Sequence, residues 1–368
     1  MKNLFVLLIA LLTALHPFFN HQSTSSSITR PLNWEAIADS VHQATLEGFL
    51  SKNGTYVMQD NEGNATFHYW WNAHVIDVLV DAHLRGKHCE ELMLTILKGI
   101  RDNNKGQLPN DYYDDMEWLA LASLRAYQAT NNHEFLDVAN LLWEDIKTGW
   151  NDHQGGGVAW RKNQRDYKNT PANAPAVILA GRLYKMDEDS ENLDWAKKIY
   201  EWQRTHLVDP KTGLVWDGMN RNGDQKIDKD WRFTYNQGVY IGASMVLYEL
   251  TGEEFYLQSA IQTADYVLSD EHLAPGGILK SEGNGDGGLF KGILIRYLTQ
   301  MITSGYLPED RKQAYTDFIR QNAFSVYRNL NRPAMLIGPS WTKKSADVID
   351  ASTQLSGLML FEAIATLD

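Results

Sequence analysis

The stretch STQLSGLMLFEAIATL, residues 352–367, is the last helical pattern in the chain, and it is apolar on almost every side. A helix that is hydrophobic all round is buried. A linear array of helical repeats finishes on a unit with a polar outer face, because nothing packs against its last repeat. Residues 352–367 are unsuited to that position and need cover on all sides. The preceding helices are therefore expected to close into a ring around them.

Moving toward the N-terminus, eleven further helical stretches alternate between two types. WEAIADSVHQATLEGFL (34–50), HEFLDVANLLWEDIK (133–147) and ENLDWAKKIYEWQRTHL (191–207) carry charge on one face and a single apolar stripe, the pattern of a surface helix. FHYWWNAHVIDVLVDAHL (67–84), PANAPAVILAGRLY (171–184) and YNQGVYIGASMVLYEL (235–250) are apolar nearly throughout and rich in small residues. Outer helices are placed from near Trp34, His88, His133, Glu191, Glu253 and Glu309. Inner helices are placed from near Thr66, Asp114, Thr170, Thr234, Asp286 and Asp350. Six outer–inner alternations with ring closure give an all-α fold, the (α/α)6 barrel, in which small residues let the inner helices approach closely. No linker rich in Pro, Gly or Ser divides the mature chain, so residues 28–368 are read as one domain.

The formal charge of -12 argues against a nucleic-acid partner, which would need a basic face. It also disfavours a polyanionic substrate and suits a neutral one such as a carbohydrate. The 12 Trp and 17 Tyr exceed what core packing usually requires. Several sit among Gly, Asn and Asp, where a flat ring with a polar tip can face a sugar. Lys2, the apolar run Leu4–Leu15 and the polar segment after it read as a secretory signal, residues 1–22, with cleavage placed as late as residue 27. The run is too short for a comfortable membrane span and no cysteine follows it closely. An exported protein, periplasmic or extracellular, without a lipid anchor or stable membrane insertion is expected. The single cysteine, Cys89, excludes an intrachain disulfide.

Chemistry collects where the inner helices begin. In a barrel of this kind these starts gather at one end, and here they would bring carboxylates, amides and aromatics together above an apolar plug. Asp114 and Asp115 are the strongest pair. Glycoside hydrolysis needs two carboxyl groups, one ionised and one protonated. Adjacent residues on a first helical turn diverge by roughly 100° and can hold their carboxyls ~5 Å apart, the spacing of retention. A helix N-terminus favours one anion, and repulsion then keeps the proton on its neighbour. The competing explanation is capping, since Asp114-x-x-Glu117 also fits a capping box.

Other motifs carry less. Gly155-Gly156-Gly157-Val158-Ala159-Trp160 lacks the strand context of a nucleotide loop and reads as a tight turn at the barrel end, with Trp160 either a sugar platform or a core residue. Asn220-x-Asn222-x-Asp224 resembles part of a calcium loop. Gln225 and Trp231 stand where such a loop needs Gly and Glu, so a hairpin turn at Asn222-Gly223 is preferred. With no His-Glu-x-x-His run and one cysteine, neither metal nor cofactor is expected.

Six segments together resemble glycoside hydrolase family 76: YDDMEWLALASLRAY (113–127), TYNQGVYIGA (234–243), GDGGLFKGILIRYL (285–298), WWNAHVIDVLVDA (70–82), GGGVAWR (155–161) and QLSGLMLFEAIA (354–365). The resemblance runs from about Trp34 to the end. It implies an (α/α)6 barrel that cleaves α-1,6-linked mannan backbones, endo and with retention, with Asp114 as nucleophile and Asp115 as acid/base. It also implies that Tyr235, Asn236, Gln237 and Asp286 line the sugar-binding end, with Trp70, Trp71 and Trp160 as further contacts. Mannan or its oligosaccharides would be the partner. Two alternatives stand beside this. One is a transglycosidase, as fungal relatives are thought to be, although those carry a C-terminal anchor signal and this chain stops at Asp368. The other is a non-catalytic mannan-binding protein, for which retention of both aspartates would be unexpected.

Overall fold

The computed structural model describes residues 32–368, and the expected signal segment lies outside them. Twelve α-helices account for most of the described chain: α1 (Trp34–Phe49), α2 (Tyr69–Leu84), α3 (Glu90–Asn103), α4 (Tyr113–Thr130), α5 (His133–Lys147), α6 (Ala174–Asp187), α7 (Ser190–Leu207), α8 (Thr234–Thr251), α9 (Glu254–Ser269), α10 (Gly287–Thr303), α11 (Glu309–Asn329) and α12 (Ala351–Leu367). The even-numbered helices contact one another in the order α2, α4, α6, α8, α10, α12, and α12 returns to α2. The ring is closed. Odd-numbered helices pack outside it, each against inner neighbours, with α1 against α12. This is the (α/α)6 barrel, with α12 buried along nearly its whole length.

Local chemistry explains the two rings. Three outer helices start at side-chain caps: Asn33 accepts from Ala36 N–H, Asn132 from Glu134 N–H and Asp189 from Glu191 N–H, each at 3.0 Å. In the inner ring, glycines permit near contact of backbones. A Cβ on Gly238 would come within 2.6 Å of Leu294 Cα, and one on Gly292 within 2.7 Å of Ser356 Cα. None of the six inner helices, among the described residues, has a side-chain cap bond from its own N-cap residue. Their N-terminal dipoles are left to other partners at that end.

Two features depart from the sequence expectation. The first is a three-stranded antiparallel sheet, β1 (Ala159–Arg161), β2 (Gln164–Asn169) and β3 (Gly218–Met219), ordered β1-β2-β3 with Ala159 facing Lys168 and Lys168 facing Met219. A bridge between Tyr112 and Arg161 ties it to the start of α4. Gly156 and Gly157 hold positive φ beneath it, and a Cβ on either would meet an indole ring of Trp150 or Trp202 at 2.8 Å. The Asn220–Asp228 segment is a turn whose flanks pair Met219 with Ile227. Its oxygens serve that turn and its surroundings. Asn220 Oδ1 accepts from Gln225 N–H at 2.9 Å, and Asp228 Oδ2 accepts from Arg221 Nε at 3.2 Å.

The second departure lies along the barrel axis. The expected apolar plug is a charged network. Arg296 of α10 donates to Asp81 Oδ2 of α2 at 2.7 Å and sits 2.5 Å from Asp77 Oδ2. Arg125 of α4 binds both aspartates. Burial alone would raise the Asp77 pKa, but Arg125 and Arg296 outweigh it and hold this carboxyl far below the usual range. A fully apolar stripe on every inner helix would have left no room for this network. The Asp and Arg residues were visible in the sequence, but their convergence on the axis was not.

Candidate active site

Asp114 and Asp115 are the second and third residues of α4. The N-cap position belongs to Tyr112. Glu117 is fully buried, and both its carboxyl oxygens are without a hydrogen-bond partner among the described residues. The capping box is therefore not formed, and the two aspartates are free for another role. Asp114 Oδ2 accepts the indole N–H of Trp160 at 3.1 Å, while its Oδ1 accepts the Asp115 backbone N–H at 3.0 Å. Asp115 Oδ2 accepts from the Asn110 amide at 2.9 Å.

These bonds sort the proton between the pair. Burial pushes the Asp114 carboxyl up to about 7, against the pull of the Asp115 N–H and Trp160 donors, which favour its anion. Burial pushes Asp115 well above the carboxylate range, and the charges of Asp114 and Asp286 push it further, with only the Asn110 amide opposing. Asp114 is thus the member better equipped to be ionised and Asp115 the better proton holder.

Both aspartates open into a cavity of about 600 Å³ at the N-terminal end of the inner helices. Its wall takes residues from the starts of α2, α4, α8 and α10, from the segment ahead of α6, and from β1 and β2. Tyr235 stacks on Phe290 with ring centres 3.8 Å apart and 2° between planes. The Tyr235 hydroxyl donates to Asp217 Oδ1 at 3.1 Å. The Trp70 and Trp71 indoles both donate to Asp286 Oδ1, at 2.9 and 3.0 Å.

Of the residues singled out from sequence, Asp114, Asp115, Trp70, Trp160, Tyr235 and Asp286 come together on this wall. Trp71, Asn236 and Gln237 stand behind it. Trp71 is buried and positions Asp286. Asn236 is fully buried and donates to Asp217 at 3.1 Å. Gln237 spends its amide on backbone: it accepts from Val215 N–H at 2.9 Å and donates to Val215 and Phe233 carbonyls at 2.7 and 3.1 Å. The starting segment of α12 is also diverted, since Asp350 Oδ2 accepts from Gly285 N–H at 2.7 Å.

Comparison with known proteins fits this geometry. The family model described as glycosyl hydrolase family 76 matches residues 33–367. The chain belongs to glycosyl hydrolase family 76. Among curated relatives, a Candida glabrata protein named mannan endo-1,6-alpha-mannosidase DCW1 is 24% identical over 275 residues, covering 68% of this chain and 61% of its own. The chain thus spans about three fifths of that relative. Among solved structures, the GH76A alpha-1,6-mannanase of Salegentibacter sp. HEL1_6 superposes with a TM-score of 0.89 at 46% identity, covering 91% of this chain and 100% of that one. An inactive variant of that mannanase, altered at two consecutive aspartates and solved with alpha-1,6-mannotetrose, superposes with a TM-score of 0.89 at 45% identity, covering 92% of this chain and 100% of that one.

Several wall residues of this family 76 chain had no sequence signal. Asp217 precedes a strand of two residues and is buried, yet it gathers Tyr235, Asn236, Tyr167 and Arg221 at 3.1, 3.1, 3.2 and 2.9 Å. Burial raises its pKa and these donors oppose the rise. Tyr167 and Asn169 arrive on β2. Nothing in the spacing of Asp217 or Tyr167 along the chain linked them to Asp114.

Proposed function

We propose that this protein is a retaining, endo-acting hydrolase of α-1,6-mannosidic linkages, with Asp114 as nucleophile and Asp115 as acid/base. The observation that carries the reading is the adjacent pair on the first turn of α4, opening into an aromatic cavity with unequal donors on the two carboxyls. The 45%-identical mannanase rendered inactive at two consecutive aspartates supports the same assignment.

In the first step Asp115 gives its proton to the glycosidic oxygen while the Asp114 carboxylate attacks the anomeric carbon, forming a glycosyl ester and releasing the aglycone chain. With its proton gone, Asp115 is a base. It takes a proton from water, which attacks the same carbon and returns Asp114 to its ionised form. The Trp160 indole and the Asp115 backbone N–H each donate to one Asp114 oxygen and so stabilise and hold the carboxylate that attacks. Flat rings such as Tyr235–Phe290 and Trp70 offer apolar faces to pyranose C–H groups.

The test is a product profile on unbranched α-1,6-mannan for the native protein beside Asp115→Asn. Short oligosaccharides of mixed length from the native protein and their loss in the variant are the expected outcomes; on an aryl α-mannoside, whose leaving group needs no acid, azide should restore turnover of the variant as a mannosyl azide of retained configuration. Equal products from both proteins would sink the assignment of Asp115. Lengthening of an α-1,6-mannooligosaccharide added as acceptor would favour transfer over hydrolysis.

A further inference from the structure

Asn110 stands between α3 and α4 and is not part of the cavity wall. The backbone that carries it lies outside any helix, yet it is anchored from two sides. The Tyr69 hydroxyl of α2 donates to the Leu108 carbonyl at 2.6 Å, and the Asn104 amide donates to the Gln107 and Pro109 carbonyls, both at 2.9 Å. Leu108 itself is buried. The Asn110 side chain is held at both of its polar atoms. Its Oδ1 accepts the Tyr112 N–H at 3.2 Å, a turn closed by the residue two positions on. That bond settles which way the amide faces, so Nδ2 is the atom that reaches Asp115 Oδ2 at 2.9 Å.

This contact has a consequence for the proton of Asp115. A protonated carboxyl carries its hydrogen on one oxygen and accepts best at the other. Nδ2 can only donate, so Oδ2 is the acceptor and the hydrogen falls to Oδ1, which meets no donor among the described residues. As the proton leaves, the Asn110 bond becomes charge-assisted and strengthens. An interaction stronger in the transition state than in the ground state lowers the barrier. The other groups that face Asp115 do not assist its ionisation. The charges of Asp114 on α4 and Asp286 at the start of α10 hold the proton on, and burial keeps the Tyr69 hydroxyl of α2 neutral.

We infer that Asn110 is the positioning residue of the acid/base: its amide holds Oδ2 of Asp115 and leaves Oδ1 as the oxygen that hands the proton to the glycosidic oxygen and takes one back from water. The inference rests on the proposed function. Asn110 acts through Asp115 and touches no sugar. Its effect should therefore follow how much the leaving group needs an acid.

The experiment compares kcat/KM on α-1,6-mannan with kcat/KM on a dinitrophenyl glycoside of α-1,6-mannobiose, whose leaving group departs without a proton. Asn110→Ala removes both bonds of the side chain. Asn110→Asp keeps an oxygen for the Tyr112 N–H and puts an acceptor where the donor was, so it serves as the second variant if the alanine protein does not fold. Both should lose about tenfold or more on mannan and stay near the native value on the dinitrophenyl glycoside. In Asn110→Ala the basic limb of the mannan profile should also move up by about one pH unit, because the Asp115 anion has lost its donor. Equal losses on the two substrates in a folded variant, or native mannan cleavage by Asn110→Asp, overturn the inference and leave the Asp114–Asp115 pair intact. Native mannan cleavage by Asp115→Asn, run alongside, overturns the functional reading and the role of Asn110 with it.

Discussion

Trp160→Phe isolates one hydrogen bond on Asp114, the proposed nucleophile. The ring remains to pack between Tyr112 and Tyr167, which lie 5.2 and 5.8 Å away. The indole N–H that reaches Asp114 Oδ2 at 3.1 Å is lost. A hydrogen bond to a charged group contributes about 1.5 kcal/mol at the lower end. Because that bond favours the anion, its loss should raise the Asp114 pKa by ~1 unit at 1.36 kcal/mol per unit. Starting from about 7, the ionised fraction of Asp114 at pH 7 would fall from about one half to about one eleventh, a drop of ~5-fold. At pH 9 both proteins would be more than ~90% ionised and the difference should nearly vanish. The assay is kcat/KM on α-1,6-mannan from pH 5 to pH 9, since this parameter reports the free enzyme. The acid limb of the variant should move upward by about one pH unit. A loss of the same factor at every pH would refute the reasoning and make Trp160 a wall residue only.

Glu117→Gln tests a buried acid without partners. Burial raises its folded pKa well above the unfolded value, with the Asp114 charge adding to the rise. The folded state therefore binds the proton more tightly than the unfolded state, and stability is lost as pH rises above the unfolded pKa. The glutamine variant should match the native melting temperature near pH 4 and exceed it increasingly toward pH 8; a constant offset would contradict this. Arg125→Met leaves Asp77 and Asp81 with Arg296 as their one remaining arginine partner among the described residues. Breaking a buried ion pair costs ~3–5 kcal/mol, which should appear as a clear fall in the urea midpoint. A fall within error would show that Arg296 alone suffices.

Much of this molecule was legible because helix periodicity is local. The alternation of amphipathic and all-apolar stretches placed all twelve helices, and residues 352–367 forced ring closure. Asp114 and Asp115 stood out because a pair of carboxylates opens a helix that is otherwise almost entirely buried. The sheet was not legible. Its strands are three, six and two residues long, too short for a period-2 pattern to register, and β2 meets β3 across about fifty residues of chain. Burial of individual polar groups was hidden for a related reason. Asn236 and Gln237 adjoin Tyr235 in sequence, but a helix turns roughly 100° per residue, and only Tyr235 points into the cavity. The sequence by itself determined the barrel and the placing of the Asp114–Asp115 pair at the start of an inner helix, because both follow from apolar patterns local to each helix and repeated along the chain. Only the tertiary structure decided which carboxyl receives two donors and which one, which aromatics face the cavity, and which side chains gather around Asp217. Those outcomes depend on distances between elements far apart in the chain, and no local pattern encodes them.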